Sequence, residues 1–564
     1  MSEDNKKFDL DYLIDQIGPF GKFQLANYAL ICYPIILVAM YSLNFVFVAG
    51  GLDYRCQIPG CDEGDSLSFE APFLNFTIPK NEEKFSSCDK FLHVPNATVT
   101  DQCQADLFDS SQLRSCSEFI YQTDEKNILN EWDLGCNEEW KLSLVGTISQ
   151  LGYMVCQPLS GYFSDRYGRR TAMIVSGILT AVAGIVRSFS TSYTMYIIME
   201  FITSGVSSGV FNSAFILALE LVGPDRRSLG VLLMNVFYAL GEALLGLLAM
   251  VTKNWRLLLR IIYAPALLIL IYHWLIPESA KWLVSMNRPR SAAKIIKSAA
   301  KINKSQLTAE AQTMLDKAFY EDSSTAISKS NDRSSDDTEG SLSAILKSRI
   351  LLLRLLNCLF CWFSIYFVFY SLTINSVVTA GDKYVNFIFN CLIEIPAACL
   401  CCLAMDKLGR RFVVCFSLTF SGISCLAYVF LSADVSEYIN IAVFLFGKFN
   451  ITMSIITIYV YTAELFPTQL RMTLLSICAT FGSTGATLAP FTLLLGKYVE
   501  SLPMILFSAV AIPAGILILL APETLNHTLP DTIRDAENIG RKEYKIAEDG
   551  NKDSTILLNN LKKL

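Results

Sequence analysis

Four ionisable side chains, Glu200, Glu242, Glu394 and Lys448, stand deep inside apolar stretches of the chain. Exposing such a group to lipid is costly, so each is a candidate for function by its position alone. Glu394 follows Asn386 and Asn390 at helical spacing, so the three share one face. Glu242 follows Asn235 and Tyr238 in the same way, and Lys448 precedes Thr452 by one turn. Aromatic side chains supply the other half of an ammonium site. Trp362, Tyr366, Phe369 and Tyr370 fall on one helical face, as do Phe211 and Phe215. An aromatic face attracts an organic ammonium by roughly 0.5–2 kcal/mol, more when desolvated. Carboxylates and rings in this pattern can hold an ammonium, an imidazolium or the cationic end of a zwitterion. The plainer reading is structural: ion pairs between helices, Lys448 with an acid for example, and rings that only pack. Arg187, Arg260 and Arg354 lie nearer helix ends, where they are expected to snorkel toward water.

The elements that carry these residues are apolar runs long enough to cross ~30 Å of hydrocarbon. They lie near 25–49, 142–163, 171–190, 194–220, 229–251, 257–276, 351–374, 384–404, 412–431, 438–463, 472–496 and 502–521. Apolar residues make up 52% of the chain and charged ones only 17%, which excludes an ordinary soluble domain. Residues 1–24 are polar and acidic with no cleavage site, so the first run is expected to be a retained anchor. The expectation is an all-α membrane protein of twelve transmembrane helices, with halves at 25–276 and 351–522. Between and around them lie a 1–24 terminus, a 50–140 loop, a 277–350 loop and a 523–564 tail. Within 277–350, residues 290–320 have helical composition, and 321–341 is polar and Ser-rich, the composition of a mobile linker.

Charge and cysteine placement orient the bundle. Residues 50–140 hold 18 Asp and Glu against 6 Lys and Arg. Arg166, Arg169, Arg170, Lys407, Arg410 and Arg411 cluster at the opposite ends of the runs. The positive-inside rule puts both termini and 277–350 in the cytoplasm and 50–140 outside. Cys56, Cys61, Cys88, Cys103, Cys116 and Cys136 fall in that outside loop, an even set suggesting three disulfides among 15 pairings. The loop also carries glycosylation sequons at Asn75 and Asn96. Sequons at Asn303, Asn450 and Asn526 are inside or in the membrane and are expected to stay unmodified. Cys358 and Cys361 form a C-x-x-C within an apolar helix and read as packing residues, since no His or acid completes a metal site. His93, His273 and His527 are far apart in sequence. No nucleophile–base set, metal cluster or phosphate loop points to an enzyme, and no basic run interleaved with aromatics points to nucleic acid. The expected partners are a small organic solute and the lipid bilayer, with no cofactor. The coupling ion, Na+ or H+, and the oligomeric state stay open.

The chain repeats itself. GYFSDRYGRR (161–170) is echoed by AMDKLGRR (404–411), ELVGPDRR (220–227) by ELFPTQLR (464–471), and PESAKWL (277–283) by PETLNHTL (522–529). The three motifs keep their order at an offset of about 240 residues, the mark of two six-helix repeats with a solute site between them. An acid at Asp165 or Asp406 can cap a helix or pair with Arg169, Arg170 or Arg410. Glu220 and Glu464 can pair with the basic turns beside them; Arg227 and Arg471 stand seven positions on from them. Gly161 and Gly168 suit close helix approach and a tight turn. These groups are candidate gating residues; positive-inside charge alone is the plainer reading.

The first motif resembles the loop signature of the major facilitator superfamily. With the Glu–Arg and PES/PET motifs the likeness narrows to sugar porters and to organic cation, anion and zwitterion transporters. The Cys-bearing loop, NEWDLGC (130–136) and YVYTAELFPT (459–468) resemble the second group, its carnitine-type branch in particular. Segment 7 lacks the Gln expected of a sugar porter. The resemblance implies solute contact at Phe211, Trp362 and Phe369 and an acid at Glu394 in IEIPA (393–397). It departs at Ser483, where cation members carry Asp and anion and carnitine members Arg, and at Ile455 and Ile456, aromatic and acidic in cation members. Glu200 stands where relatives usually have Arg. Candidate solute contacts are therefore Phe211, Asn235, Glu242, Trp362, Tyr366, Phe369, Tyr370, Asn390, Glu394, Lys448 and Ser483. The expected function is alternating-access transport of organic cations or zwitterions across the plasma membrane. An organic anion carrier, a sugar porter and a non-transporting sensor are the alternatives.

Overall fold

Long apolar runs can satisfy their backbone only as helices, and the computed structural model of the chain is a bundle of them. It describes residues 10–18, 20–62, 69–81, 84–94, 103–222, 227–320, 345, 347–379, 381–431, 436–467, 470–525, 530 and 532–539. Asn96, Asn526, His527 and the 321–341 stretch lie outside the described residues, as does the side chain of Arg227. Among the described residues, eleven helices are long and apolar enough to cross a membrane: α1 (Lys22–Val48), α3 (Arg169–Arg187), α4 (Tyr193–Glu220), α5 (Leu229–Thr252), α6 (Trp255–Leu275), α7 (Arg349–Val378), α8 (Lys383–Leu408), α9 (Arg410–Leu431), α10 (Glu437–Leu465), α11 (Thr473–Tyr498) and α12 (Leu502–Leu520). A further long helix, α2 (Trp140–Tyr167), is more polar, carrying Thr147, Gln150, Gln157 and Ser160.

The two halves pack alike. In the first, α2 lies on α4 and α1 on α5; in the second, α8 lies on α10 and α7 on α11. Between halves, α2 meets α11 and α5 meets α8, again a matched pair. Each half has its own apolar core, around Ile31, Ile35 and Tyr196 in one and Trp362, Tyr461 and Phe507 in the other.

The halves are joined at the end that carries the 50–140 loop. Lys383 Nζ pairs with Glu125 at 2.6 Å and Lys497 Nζ with Glu139 at 2.6 Å. Phe47 stacks on Tyr384 and meets Phe387 edge-on, and the Thr147 hydroxyl donates to the Thr487 carbonyl at 3.0 Å. At the opposite end the ion pairs among the described residues stay within each half (Asp165–Arg169–Glu220 and Asp406–Arg410–Glu464).

The loop is not helical. Three antiparallel pairs form it: β1 (Tyr54–Cys56) with β6 (Phe119–Tyr121), β2 (Lys80–Asn81) with β3 (Lys84–Phe85), and β4 (Asp89–His93) with β5 (Phe108–Ser115). Disulfides join Cys56 to Cys116, Cys61 to Cys103 and Cys88 to Cys136, one of the 15 pairings the sequence leaves open. A buried fork from Arg55 to Asp62, two contacts of 2.8 Å, ties the β1 strand to the turn after it. Burial, then the Glu139 carboxylate beside it, pushes the Tyr54 phenol well above its ordinary range.

On the other side of the bundle, helices Pro289–Asn303 and Ala309–Tyr320 pack on Leu10–Gln16 through Leu13, Ile17, Ile296 and Leu315. Asn303 pins this cluster to α1: its Oδ1 accepts from the Phe23 amide at 2.8 Å, and its Nδ2 donates to the Ile17 carbonyl at 3.1 Å.

Candidate functional site

Helix α8 is interrupted at Ile393, between Lys383–Leu392 and Glu394–Leu408. Pro396 follows three residues later, and its missing N–H cannot bond the Leu392 carbonyl. A broken helix at mid-membrane is where transporters place polar binding groups. Glu394 opens the second segment, 8% exposed, and pairs with Lys448 Nζ from α10 at 2.8 Å. The same ammonium donates to Thr373 Oγ1 at 2.7 Å and sits 3.3 Å from the centroid of the Phe369 ring. Lys448 is fully buried. The ring and carboxylate that the spacing offers to a solute cation are thus occupied by the protein's own cation.

From the facing half, α5 brings Glu242, 1% exposed, within electrostatic reach of Glu394 and Lys448, with the Cys391 thiol against its carboxylate. Asn390 is fully buried, and neither atom of its amide has a partner among the described residues. Asn386 instead donates to the Thr379 carbonyl at 3.2 Å. Tyr370 lies within electrostatic reach of both carboxylates and of Tyr153. Phe211 stacks on Phe215 and meets Tyr238 edge-on at 5.9 Å, while the Tyr238 hydroxyl bonds Ser42 at 2.9 Å. Asn235 is half-buried on the same helix. The structure therefore brings together Glu242, Phe369, Tyr370, Glu394 and Lys448, with Asn390 one turn before Glu394 and Phe211 reaching the group through Tyr238.

Two candidates stand differently. Trp362 is fully buried between α7, α10 and α11; its Nε1 donates to Thr462 at 2.9 Å. Its ring stacks on Tyr366 and meets Tyr459 edge-on, and those two hydroxyls bond each other. Trp362 thus backs the accessible tyrosines. Ser483 is half-buried and donates to the Ala479 carbonyl of its own helix at 3.0 Å, so α11 adds no charge here. An open cleft of about 690 Å³ between α2, α7 and α11, lined by Met154, Leu359, Thr480 and Phe481, shares no lining residue with the charged cluster.

Arg187 corrects an expectation. It does not snorkel: it is fully buried, paired with Glu200 and donating to Asn44 at 2.9 Å and Tyr263 at 3.2 Å. Its guanidinium also lies over Tyr196 and Tyr263. Glu200 is thereby a structural partner. Arg260 lies over Phe189, and Arg354 donates to the carbonyls of Ala536 and Ile539.

The repeated turn motifs build two matching clusters. Asp165 and Arg166 belong to the last turn of α2 rather than to a loop, because Gly168 at φ 101° turns the chain in a single residue. Gly409 at φ 92° does the same between α8 and α9. At Gly168 an added Cβ would strike the Glu278 carboxylate; Gly161, by contrast, has open space around it. Asp165 pairs with Arg169 at 2.6 Å, and Arg169 with Glu220 at 3.5 Å. Asp406 reaches Arg410 at 3.9 Å, and Arg410 reaches Glu464 at 3.2 Å. Arg166 bonds Tyr162 on the exposed face. Among the described residues, Asp165 caps no helix in the opposite half. Capping falls to residues the sequence reading passed over: Glu278 accepts from the Arg170 amide at 2.9 Å, and Glu523 from the amides of Arg410 and Arg411 at 2.9 and 3.1 Å. Their positions in the PES and PET motifs were the available signal. Glu464 does not pair with Arg471, whose Nε and Nη2 have no hydrogen-bond partner among the described residues; it accepts from Thr524 at 2.7 Å.

Matched halves with a charged cluster between them are the architecture of a major facilitator transporter, a multi-pass membrane protein. The partially occluded inward-open xylose transporter XylE from E. coli shares the fold, with a TM-score of 0.58 at 14% identity, over 90% of this chain and 100% of that one. The family model described as Sugar (and other) transporter matches residues 95–534. An organic cation transporter protein of Drosophila melanogaster is 31% identical over 96% of this chain and 97% of its own length. Solute carrier family 22 member 1 of Bos taurus is 29% identical over 94% of this chain and 93% of its own. The chain belongs to the organic cation transporter family of the major facilitator superfamily.

Proposed function

We propose that the protein moves small organic cations or zwitterionic amines, carnitine-like solutes among them, across the plasma membrane by alternating access. One observation carries this reading. The buried cluster holds two carboxylates, Glu242 and Glu394, against one ammonium, Lys448. A dianion would meet that surplus of negative charge, whereas a cation relieves it. Lys448 against Phe369 and Glu394 also serves as an internal pattern for the ligand: an ammonium fits between that ring and that carboxylate. A zwitterion would place its amine near Glu394 and Phe369 and offer its carboxylate to Lys448.

The orientation follows from charge and cysteine. Disulfides persist in oxidising surroundings, which favours the outside for the stapled loop, and the Arg-rich turns favour the cytoplasm for the other end. On that assignment the structure is closed outside by Glu125–Lys383 and Glu139–Lys497 and faces inward. The outer pairs would break as the halves rock, and the Asp165 and Asp406 clusters would close the inner end. A labelled-solute uptake screen with and without sodium tests the reading. Uptake of tetraethylammonium or carnitine above the background of untransfected cells is the expected result; uptake confined to organic anions or to sugars would overturn it.

A further inference from the structure

The Glu394–Lys448 pair leaves one acid over. Glu242 lies in the span of α5, 1% exposed, and its Oε2 has no hydrogen-bond partner among the described residues. Lys448, the nearest cation, is already held by Glu394, Thr373 and the Phe369 ring. The groups facing Glu242 can be named from every packed element. From α8 come Glu394 and the Cys391 thiol, from α10 Lys448, from α7 Tyr370, and from α5 itself Tyr238. Helix α1 carries no charged side chain between residues 23 and 48, and its Tyr33 and Tyr41 engage Pro265 and Tyr263. The two acids of α4 are spoken for, Glu200 by Arg187 and Glu220 by Arg169. The amide of Asn390, on α8 one turn before Glu394, is buried and has no partner among the described residues.

An ionised carboxylate with a thiol but no cation of its own beside it in this setting costs several kcal/mol; a protonated one does not. With Lys448 charged and both glutamates ionised, the cluster carries one net negative charge. It has room for one added positive charge, which a proton or an organic cation can supply.

We propose that Glu242 is a proton-carrying coupling site, and that it releases its proton when an organic cation enters the cluster, so that the transporter exchanges one for the other. The proposal rests on the cation reading above. In the step, the O–H bond of the Glu242 carboxyl breaks, the proton leaves to water, and the carboxylate left behind balances the arriving cation. The return crossing carries the proton on Glu242. One charge enters as one leaves, so the cycle is electroneutral and is driven by the pH difference rather than by the membrane potential.

The test uses the purified full chain in liposomes with tetraethylammonium, whose own charge does not change with pH. With the potential clamped by potassium and valinomycin, one-for-one exchange accumulates the probe by about tenfold for each pH unit of inside acidity. Adding the probe outside then acidifies the external medium. Glu242→Gln abolishes the response to the pH gradient, and whatever flux it retains follows the potential; Glu242→Asp keeps the pH drive. A second readout needs no solute: pH-difference infrared spectra show a protonated-carboxyl C=O band in the wild type that Glu242→Gln removes. Potential-driven flux in the wild type, indifferent to the pH gradient, overturns the proposal. So does a sodium requirement, or a carboxyl band that Glu242→Gln leaves in place. A Glu242-dependent band with no movement of tetraethylammonium overturns the cation reading and the exchange step, and leaves the proton site standing.

Discussion

Replacing Lys448 with Met separates two opposing consequences of the internal ammonium. Lys448 lies 2.8 Å from Glu394, 2.7 Å from Thr373 and 3.3 Å from the Phe369 centroid. A solute cation must share or displace those contacts. A desolvated cation–π contact alone is worth about 2 kcal/mol, so removing this competitor is expected to tighten cation binding by roughly tenfold or more. The cost falls on the fold. Breaking a buried pair leaves Glu394 uncompensated, about 3–5 kcal/mol out of a typical total of about 5–15 kcal/mol. Lys448→Met should therefore lower the thermal midpoint of the purified protein, and tetraethylammonium should restore it by more than it raises the wild type's. A zwitterion should lose affinity, since its carboxylate has no partner left. Equilibrium binding of tetraethylammonium and carnitine, with melting followed by size-exclusion chromatography, measures both effects. Unchanged cation affinity together with unchanged carnitine affinity would refute the reasoning.

Three further outcomes follow from the geometry. Glu125→Gln breaks the pair with Lys383 and should tip the protein toward opening outside, so a cysteine at buried Ser143 reacts faster with an impermeant maleimide; an unchanged rate would mean the pair is not a gate. Arg187→Met should cost about 3–5 kcal/mol by stranding Glu200, seen as a sharp fall in folded yield, and Arg187→Met with Glu200→Leu should recover much of it. Glu278→Ala strips the acceptor from the first turn of α3 and should lower the melting temperature by the equivalent of about 1 kcal/mol; an unchanged melt would show the cap adds nothing.

The apolar runs of the sequence mark where the helices lie, because helix length and hydrocarbon thickness are a single constraint. The repeated motifs mark the two halves, and the Cys-rich loop its three disulfides. What the sequence hides depends on which faces meet. Helical spacing puts Phe369 and Tyr370 on one face of α7, yet nothing local tells that Lys448 of α10 fills the Phe369 ring face. Arg187 reads as a helix-end residue until the turn between α3 and α4 folds Glu200 back onto it, 13 positions away. Trp362 shares a helical stripe with Tyr366, but its larger ring goes to the core between helices, where Thr462 satisfies its N–H. Glu278 and Glu523 look like ordinary loop acids, since their partners are backbone amides more than a hundred residues away.

The central claim is that Glu394 selects solute charge, and Glu394→Gln tests it with shape and volume preserved. Uptake of a matched cation, zwitterion and anion should be followed in cells and normalised to surface protein. Loss of the carboxylate should cut cation and zwitterion uptake at least about tenfold, a demand of about 1.4 kcal/mol that is modest for a partly buried ion pair. The anion should not fall with them. Cation and zwitterion rates untouched by Glu394→Gln, or a wild type that moves only the anion, would contradict the account and leave Lys448 as the residue that reads the solute.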